Sequence, residues 1–276
     1  MGLKIIKKAI IAVPVRLNSK RLRQKALADI GGKPMLLRVL EQCLKTFSAN
    51  NIVLCSDSEK LTLLAKQIGV KSLLTNSDCT SGSERIASVL DKIISIVWEE
   101  EIKKKEVENT SKYYRQTLVI NVQGDQPFLD PEVINKMKDF CFSKNEIPEV
   151  VTPIYKLKKE FIHDPSVVKT LINRDHKAIY FSRAAIPYIR DEKKENWYKY
   201  FHYWGHVGIY GYRADILSDW KKFPISKLEK LENLEQLRLI DAGIEVSTFN
   251  VKGDFLSIDT QCQLDIARQQ VIDQGF

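Results

Sequence analysis

No C-x-x-C pair, no G-x-G-x-x-G after the first predicted strand, no long apolar run, no low-complexity tract and no internal repeat occurs in this chain. Each absence removes a class of protein. The five cysteines, Cys43, Cys55, Cys79, Cys141 and Cys262, are odd in number and scattered. They argue against a disulfide framework or a zinc site and fit a reducing compartment, where small buried thiols are common. Without the glycine fingerprint, an NAD-binding oxidoreductase would lack its phosphate-binding turn. The early apolar stretch, residues 9–15, is too short for a membrane span or a signal core and leads straight into charge. The expectation is therefore a cytoplasmic protein with no membrane insertion.

What is present is ordinary globular material. The 276 residues are 44% hydrophobic and 28% charged, which suits one large core rather than a disordered or fibrous chain. A net charge of +8 invites a nucleic-acid reading, because clustered Lys and Arg neutralise phosphates. Much of that charge is local. Arg16, Lys20, Arg21, Arg23 and Lys25 crowd one early loop and are suited to cradling a triphosphate, whereas Lys103, Lys104 and Lys105 form a run that reads as a solvated face. RNP, KH and zinc signatures are missing, so an RNA-binding module stands only as an alternative of a different class, and nucleic acid is not the expected partner.

Along the chain, hydrophobic period and turn residues alternate. Residues 9–14 read as a buried strand, Gly31-Gly32 as a turn, and residues 33–44 as a helix opened by Lys33-Pro34. Strands at 51–55 and 70–74 flank a helix at 58–68, and a long amphipathic helix is expected over 83–98. A charged segment, 99–116, reads as a surface extension or lid before a compact strand at 117–122. This alternation predicts an α/β fold with a doubly wound, mostly parallel sheet in a single domain, 1–276. Residues 150–212 carry a dense load of Tyr and Trp and are read as strands and loops forming a substrate and dimerisation lobe. A helix over 228–242 capped by Gly243, strands at 246–251 and 255–258, and a helix at 260–272 close the chain.

In open α/β sheets ligands gather beyond the carboxyl ends of the strands, so the loops there are the place to look for chemistry. Gln123-Gly124-Asp125 follows one apolar run and Asp259 another, and two carboxylates brought to one sheet edge are the hard oxygen ligands that Mg²⁺ prefers. Each feature also has a plainer reading. Gly-Asp is a common turn, Asp259 can cap the last helix, and Ser81 with Glu84 forms a capping-box pattern. His202 and His206 are not on a helical pattern, which disfavours a metal pair; a lone histidine is usually hydrogen-bonded in a core.

In chain order, VPVRLNSKRLRQKALADIGGKPML, TSGSERIASVL, VINVQGDQPFLDPEVI, AIYFSRAAIPYIR, HVGIYGYR, LEKLENLEQLR and IDTQCQLDIAR resemble the CMP-Kdo synthetases, the 3-deoxy-manno-octulosonate (Kdo) cytidylyltransferases, over nearly the whole chain. The resemblance implies a fold of the nucleotide-diphospho-sugar transferase type. It also implies activation of Kdo by CTP to give CMP-Kdo and pyrophosphate for lipopolysaccharide biosynthesis, with Mg²⁺ as cofactor and a homodimer as the assembly. Arg16, Ser19, Lys25, Ser81, Gly82 and Arg85 would bind the nucleotide, and Gln123, Arg183, His206, Tyr210, Glu235 and Gln236 the sugar acid. Asp125 and Asp259 would hold the metal, with Arg16, Lys25 and Asp125 catalytic. Val15 replaces a small Ala, Arg23 a loop-stiffening Pro and Cys79 the usual His, while Thr260-Gln261-Cys262-Gln263 lacks the Pro and both acids of the family's helix start. The nearest alternative is the same reaction on 8-amino-Kdo or another acidic sugar. LEQLR and YFSR favour a Kdo-type acid over a sialic acid.

Overall fold

Lys8–Val15, KAIIAVPV, forms strand β1, whose residues alternate between two faces. Ile11 and Val13 enter a core shared with Leu36, Leu61 and Ile134, while Ile10 and Ala12 enter a second core shared with Ile86, Ile93 and Leu237. A sheet with buried residues on both faces is what helices packed on both sides produce, and each fully buried Ile or Leu contributes about 1.5–3 kcal/mol. The computed structural model describes residues 6–19, 22–104, 111–253, 255 and 257–273.

After β1 come β2 (Asp29–Ile30), β3 (Lys33–Pro34), α1 (Met35–Leu44), β4 (Ile52–Ser56), α2 (Glu59–Gln67), β5 (Lys71–Leu74), α3 (Gly82–Ala87) and α4 (Leu90–Val97). Next are α5 (Glu99–Lys103), α6 (Ser111–Arg115), β6 (Thr117–Asn121), α7 (Pro131–Phe142), β7 (Val150–Lys156), β8 (Lys169–Ile172) and β9 (Ala178–Ser182). The chain continues through β10 (Trp204–His206), β11 (Tyr210–Arg213), α8 (Ala214–Ser218), α9 (Lys227–Glu232), α10 (Leu237–Asp241), β12 (Val246–Asn250) and α11 (Gln261–Asp273). A ten-stranded sheet runs β5-β4-β1-β6-β11-β7-β10-β8-β9, with β12 beside β7. The β5-β4-β1-β6 block is parallel, and β12 runs parallel to β7. Antiparallel β11 joins that block to the strands of the aromatic region. The α/β class with a large central sheet is the one the alternation predicted.

Several elements differ from the sequence reading, each for a local reason. The helix expected over 83–98 is two, α3 and α4: β-branched Val89 leaves helical geometry (φ −124, ψ 17) just after Ser88, whose Oγ donates to the Arg85 carbonyl at 2.7 Å. The helix expected over 228–242 is also two, because Asn233 adopts the left-handed conformation (φ 52) and ends α9. No strand occupies Phe255, Ser257 or Ile258; Ile258 donates its N–H to the Asp125 carbonyl at 2.9 Å and is buried beside Ile30, Met35 and Leu264. Helix α7 was not anticipated, although Asp130 caps it by accepting from Glu132 N at 2.9 Å and Pro131 occupies its first turn. Pro34 sits at the N-cap of α1 and pairs in the β2–β3 hairpin, whose turn is Gly31 (φ 60) and Gly32 (φ 80).

The two flanks of the 99–116 segment are helices, and their root is docked rather than free. Trp98 stacks on Tyr113 at 4.6 Å and donates from Nε1 to Thr117 Oγ1 at 2.7 Å. In the lysine run, Lys103 is exposed and pairs with Glu99, Lys104 is exposed, and Lys105 lies outside the described residues. The aromatic region has a small core of its own, Leu157, Ile162, Trp197 and Tyr203, while β7 to β11 belong to the main sheet.

Candidate active site

Because β1 is parallel to both β4 and β6, the loops after them leave from one sheet edge. There they enclose a cavity of about 620 Å³. Arg16, Ser19 and Lys25 reach it from the β1 loop, Ser81, Gly82 and Arg85 from the start of α3, Gln123 and Asp125 from the β6 loop, and Asp259 from the segment before α11. Arg16 is exposed, so its guanidinium is open to a ligand. Arg21, which the resemblance matched to the same loop, lies outside the described residues.

Three of these side chains meet. Lys25 Nζ donates to Asp125 Oδ2 at 2.7 Å and to Asp259 Oδ1 at 3.0 Å, joining positions 100 and 234 residues away in sequence. Burial pulls the Lys25 pKa down, but the charges and hydrogen bonds of Asp125 and Asp259 outweigh it and leave the ammonium above its ordinary value. Gly124 lets the β6 loop approach, since a Cβ there would meet Val15 Cγ2 at 2.5 Å. Asp259 is not the cap of α11. Thr260 Oγ1 accepts from Gln263 N at 3.3 Å, and Gln263 Oε1 accepts from Thr260 N at 3.0 Å and Asp259 N at 2.8 Å, a capping box that leaves the Asp259 carboxylate to the cavity.

Asp125 Oδ1 is buried with no hydrogen-bond partner among the described residues. An orphaned carboxylate oxygen beside a second carboxylate fits a hard divalent cation. Among the described residues no group of three or more His, Cys, Asp or Glu could hold an ion, so a metal on this pair would complete its shell with substrate oxygens and water.

The wall opposite is held by internal bonds. Ser81 Oγ accepts from Glu84 N at 3.2 Å, capping α3, and donates to Glu235 Oε1 at 2.8 Å, so the cap reading holds while Ser81 also lines the cavity. Burial holds the Glu235 carboxyl above its usual range, against the hydrogen bonds of Ser83 and Ser81, which lower it. Arg85 is buried, and its guanidinium donates to Thr75 Oγ1, to the Asn76 carbonyl at 3.2 Å and to Asp57 Oδ2 at 3.4 Å. It builds the wall more than it offers charge to the cavity.

The remaining residues matched to the sugar acid, Arg183, His206, Tyr210, Glu235 and Gln236, are not among those lining this cavity. Arg183 donates from Nε to the Glu232 carbonyl at 2.8 Å and from an Nη to the Pro165 carbonyl at 3.1 Å, which fixes the plane of its fork. The Thr152 hydroxyl donates to the Ile209 carbonyl at 2.8 Å, so its oxygen accepts from His206 Nε2 at 3.1 Å. Burial pushes the His206 pKa down to about 3 and keeps the imidazole neutral. Its ring lies 5.3 Å from that of buried Tyr210, which stacks on Tyr212 at 5.7 Å. Gln236 is buried, and its Nε2 has no partner among the described residues.

A family model described as cytidylyltransferase matches residues 10–246. Proteins named 3-deoxy-manno-octulosonate cytidylyltransferase align with almost the whole chain: that of Chlorobaculum tepidum is 31% identical over 264 residues, 95% of this chain and 96% of the relative. The Escherichia coli protein of that name is 32% identical over 261 residues, 95% of each chain. The chain belongs to the 3-deoxy-manno-octulosonate cytidylyltransferase family. A solved CMP:2-keto-3-deoxy-manno-octonic acid synthetase complexed with CTP superposes on this cytidylyltransferase with a TM-score of 0.81 at 31% identity, covering 97% of this chain and 100% of that one. A cytidylyltransferase from Leptospira borgpetersenii, 13% identical with a TM-score of 0.58, shares the fold. The oxidoreductase and RNA-binding readings are set aside.

Two residues of this cytidylyltransferase escaped the sequence reading. Asp57, just past β4, accepts from Leu17 N at 3.0 Å as well as from Arg85, tying the β1 loop to α3. Its position after a buried strand was the available signal. Asn233 also lines the cavity, and nothing in the helical period around it marked it out. Among the departures from the family pattern, Cys79 is half-buried and lines the cavity where the family has His.

Proposed function

We propose that this cytidylyltransferase activates Kdo with CTP in the cytoplasm, giving CMP-Kdo and pyrophosphate for lipopolysaccharide biosynthesis, with Mg²⁺ as cofactor and a homodimer as the working assembly. The observation that carries the reading is the convergence of Lys25, Asp125 and Asp259 on a cavity that Arg16 also enters, in a chain aligned end to end with Kdo cytidylyltransferases. No described helix is long and apolar enough to cross a membrane. The exposed rings of Tyr188, Tyr198 and Tyr200 on the aromatic lobe support a dimer face there.

In the reaction, the anomeric hydroxyl oxygen of the sugar acid forms a bond to the α-phosphorus of CTP and loses its proton to solvent as the bond to the departing pyrophosphate oxygen breaks. No side-chain nucleophile is needed. The protein positions two anions against each other and offsets their charge. Arg16 offers a planar fork and Lys25 a compact cation to the β and γ phosphates and to the departing pyrophosphate. Asp125 and Asp259 are the residues that would hold Mg²⁺, which when bound polarises phosphate and sugar oxygens. Ser81, Gly82 and Arg85 form the nucleotide wall, and the fixed fork of Arg183 suits the sugar carboxylate.

Pyrophosphate release with CTP, Mg²⁺ and a panel of sugars tests this directly. Turnover is expected with Kdo, with its 8-amino analogue reporting how far the site tolerates an amine. Turnover without sugar, or only with a neutral sugar phosphate, would overturn the reading.

A further inference from the structure

We infer that Asn233 is a specificity-determining residue whose carboxamide contacts the hydroxylated part of the sugar acid. The inference rests on the Kdo cytidylyltransferase reading above and deepens it.

The sequence period calls for one helix through 228–242, yet the chain breaks at Asn233 in a left-handed conformation, φ 52 and ψ 51. Few residues with a side chain tolerate that conformation, and Asn is one of them. The break is held from both sides. On one side the Glu232 carboxylate accepts from Ser182 Oγ at 2.6 Å and Arg183 N at 2.9 Å, and the Glu232 carbonyl accepts from Arg183 Nε at 2.8 Å. On the other, Glu235 accepts from Ser81 at 2.8 Å, and Leu234 between them is buried.

The turn thus spans from Arg183, assigned above to the sugar carboxylate, to the nucleotide wall at Ser81. Asn233 is its one residue lining the cavity. Its carboxamide makes no hydrogen bond among the described residues, although Glu232 and Glu235 on either side are bonded. A carboxamide offers two donors and an acceptor in one plane, which matches adjacent hydroxyls of a polyol better than a phosphate. The phosphate and metal groups, Lys25, Asp125 and Asp259, come from other loops.

The test uses the full-length enzyme and two substitutions. Asn233→Gly removes the carboxamide and keeps the left-handed turn, and Asn233→Asp keeps the side-chain shape and removes the donors. Both are expected to raise the KM for Kdo about five- to tenfold while the KM for CTP stays within about twofold. Three results would overturn the inference: unchanged Kdo KM in both variants, an Asn233→Asp enzyme equal to wild type beside an impaired Asn233→Gly, or a CTP KM that rises as much as that for Kdo. The first and third mean no sugar contact, and the second means that the carboxamide N–H groups donate to no sugar hydroxyl. Absence of wild-type turnover with Kdo would overturn the functional reading and this inference with it, whereas an active wild type beside unaltered variants overturns this inference alone.

Discussion

At the carboxyl edge of the parallel strands, Lys25, Asp125 and Asp259 leave three loops and meet in a polar cavity. Across the antiparallel half, Arg183, His206 and Tyr210 turn toward the protein itself, to backbone carbonyls, a threonine and neighbouring rings. The two halves of one sheet thus hold their polar side chains in different ways. Phosphate chemistry calls for charges already in place, because reorienting them during reaction costs rate. The side chains proposed for the sugar acid in the antiparallel half have their planes fixed by the surrounding fold, whereas Gln123 and Asn233 line the cavity itself.

The largest effect should come from the first region. Asp125→Asn is expected to lower kcat by about 10²–10³ with only a small change in the thermal midpoint, since relief of repulsion with Asp259 offsets the weakened pairing with Lys25, which keeps Asp259. Steady-state kinetics beside a melting curve checks it. Near-normal turnover would erase the contrast between the two regions.

A smaller and more selective effect is expected in the second. Arg183→Lys should raise the KM for the sugar acid about tenfold or more relative to that for CTP, because a point charge cannot replace a fork fixed by Glu232 and Pro165. Equal loss for both substrates would make Arg183 purely structural.

The smallest effect concerns pH. The folded His206 pKa lies near 3, below the ordinary value of 6.5, so the unfolded chain binds the proton more readily. Stability from this group is therefore full above about pH 6.5 and is lost as pH falls from there toward 3. His206→Gln should flatten the fall of the melting midpoint over pH 6.5 to 4. An unchanged slope would show that His206 is hydrated in the folded state.

The two regions were also unequally legible in the sequence. The strand-then-loop pattern pointed to Arg16, Gln123 and Asp125, which line the cavity, because a buried apolar run fixes its own end and a parallel sheet sends all such ends to one edge. Asp259 reached the same edge although its expected strand is absent; one hydrogen bond from Ile258 to Asp125 does the work of a ladder. Helical period failed at Val89 and Asn233, where non-helical backbone angles interrupt a periodic apolar face. Arg85 was legible as part of the site and illegible as a buried clamp, since its partners Asp57 and Thr75 come from other loops.

Whether Asp125 and Asp259 hold Mg²⁺ as a pair, as proposed, is decided by the turnover of Asp259→Asn across a magnesium titration. Asn would cap a helix about as well as Asp and Thr260 already caps α11, so loss of the charge should act within the cavity, on metal binding and on the ion pair with Lys25. The half-saturating Mg²⁺ concentration is expected to rise about tenfold or more, with a lower rate at saturation. A near-normal rate with unaltered magnesium dependence would contradict it and leave Asp125 without its partner.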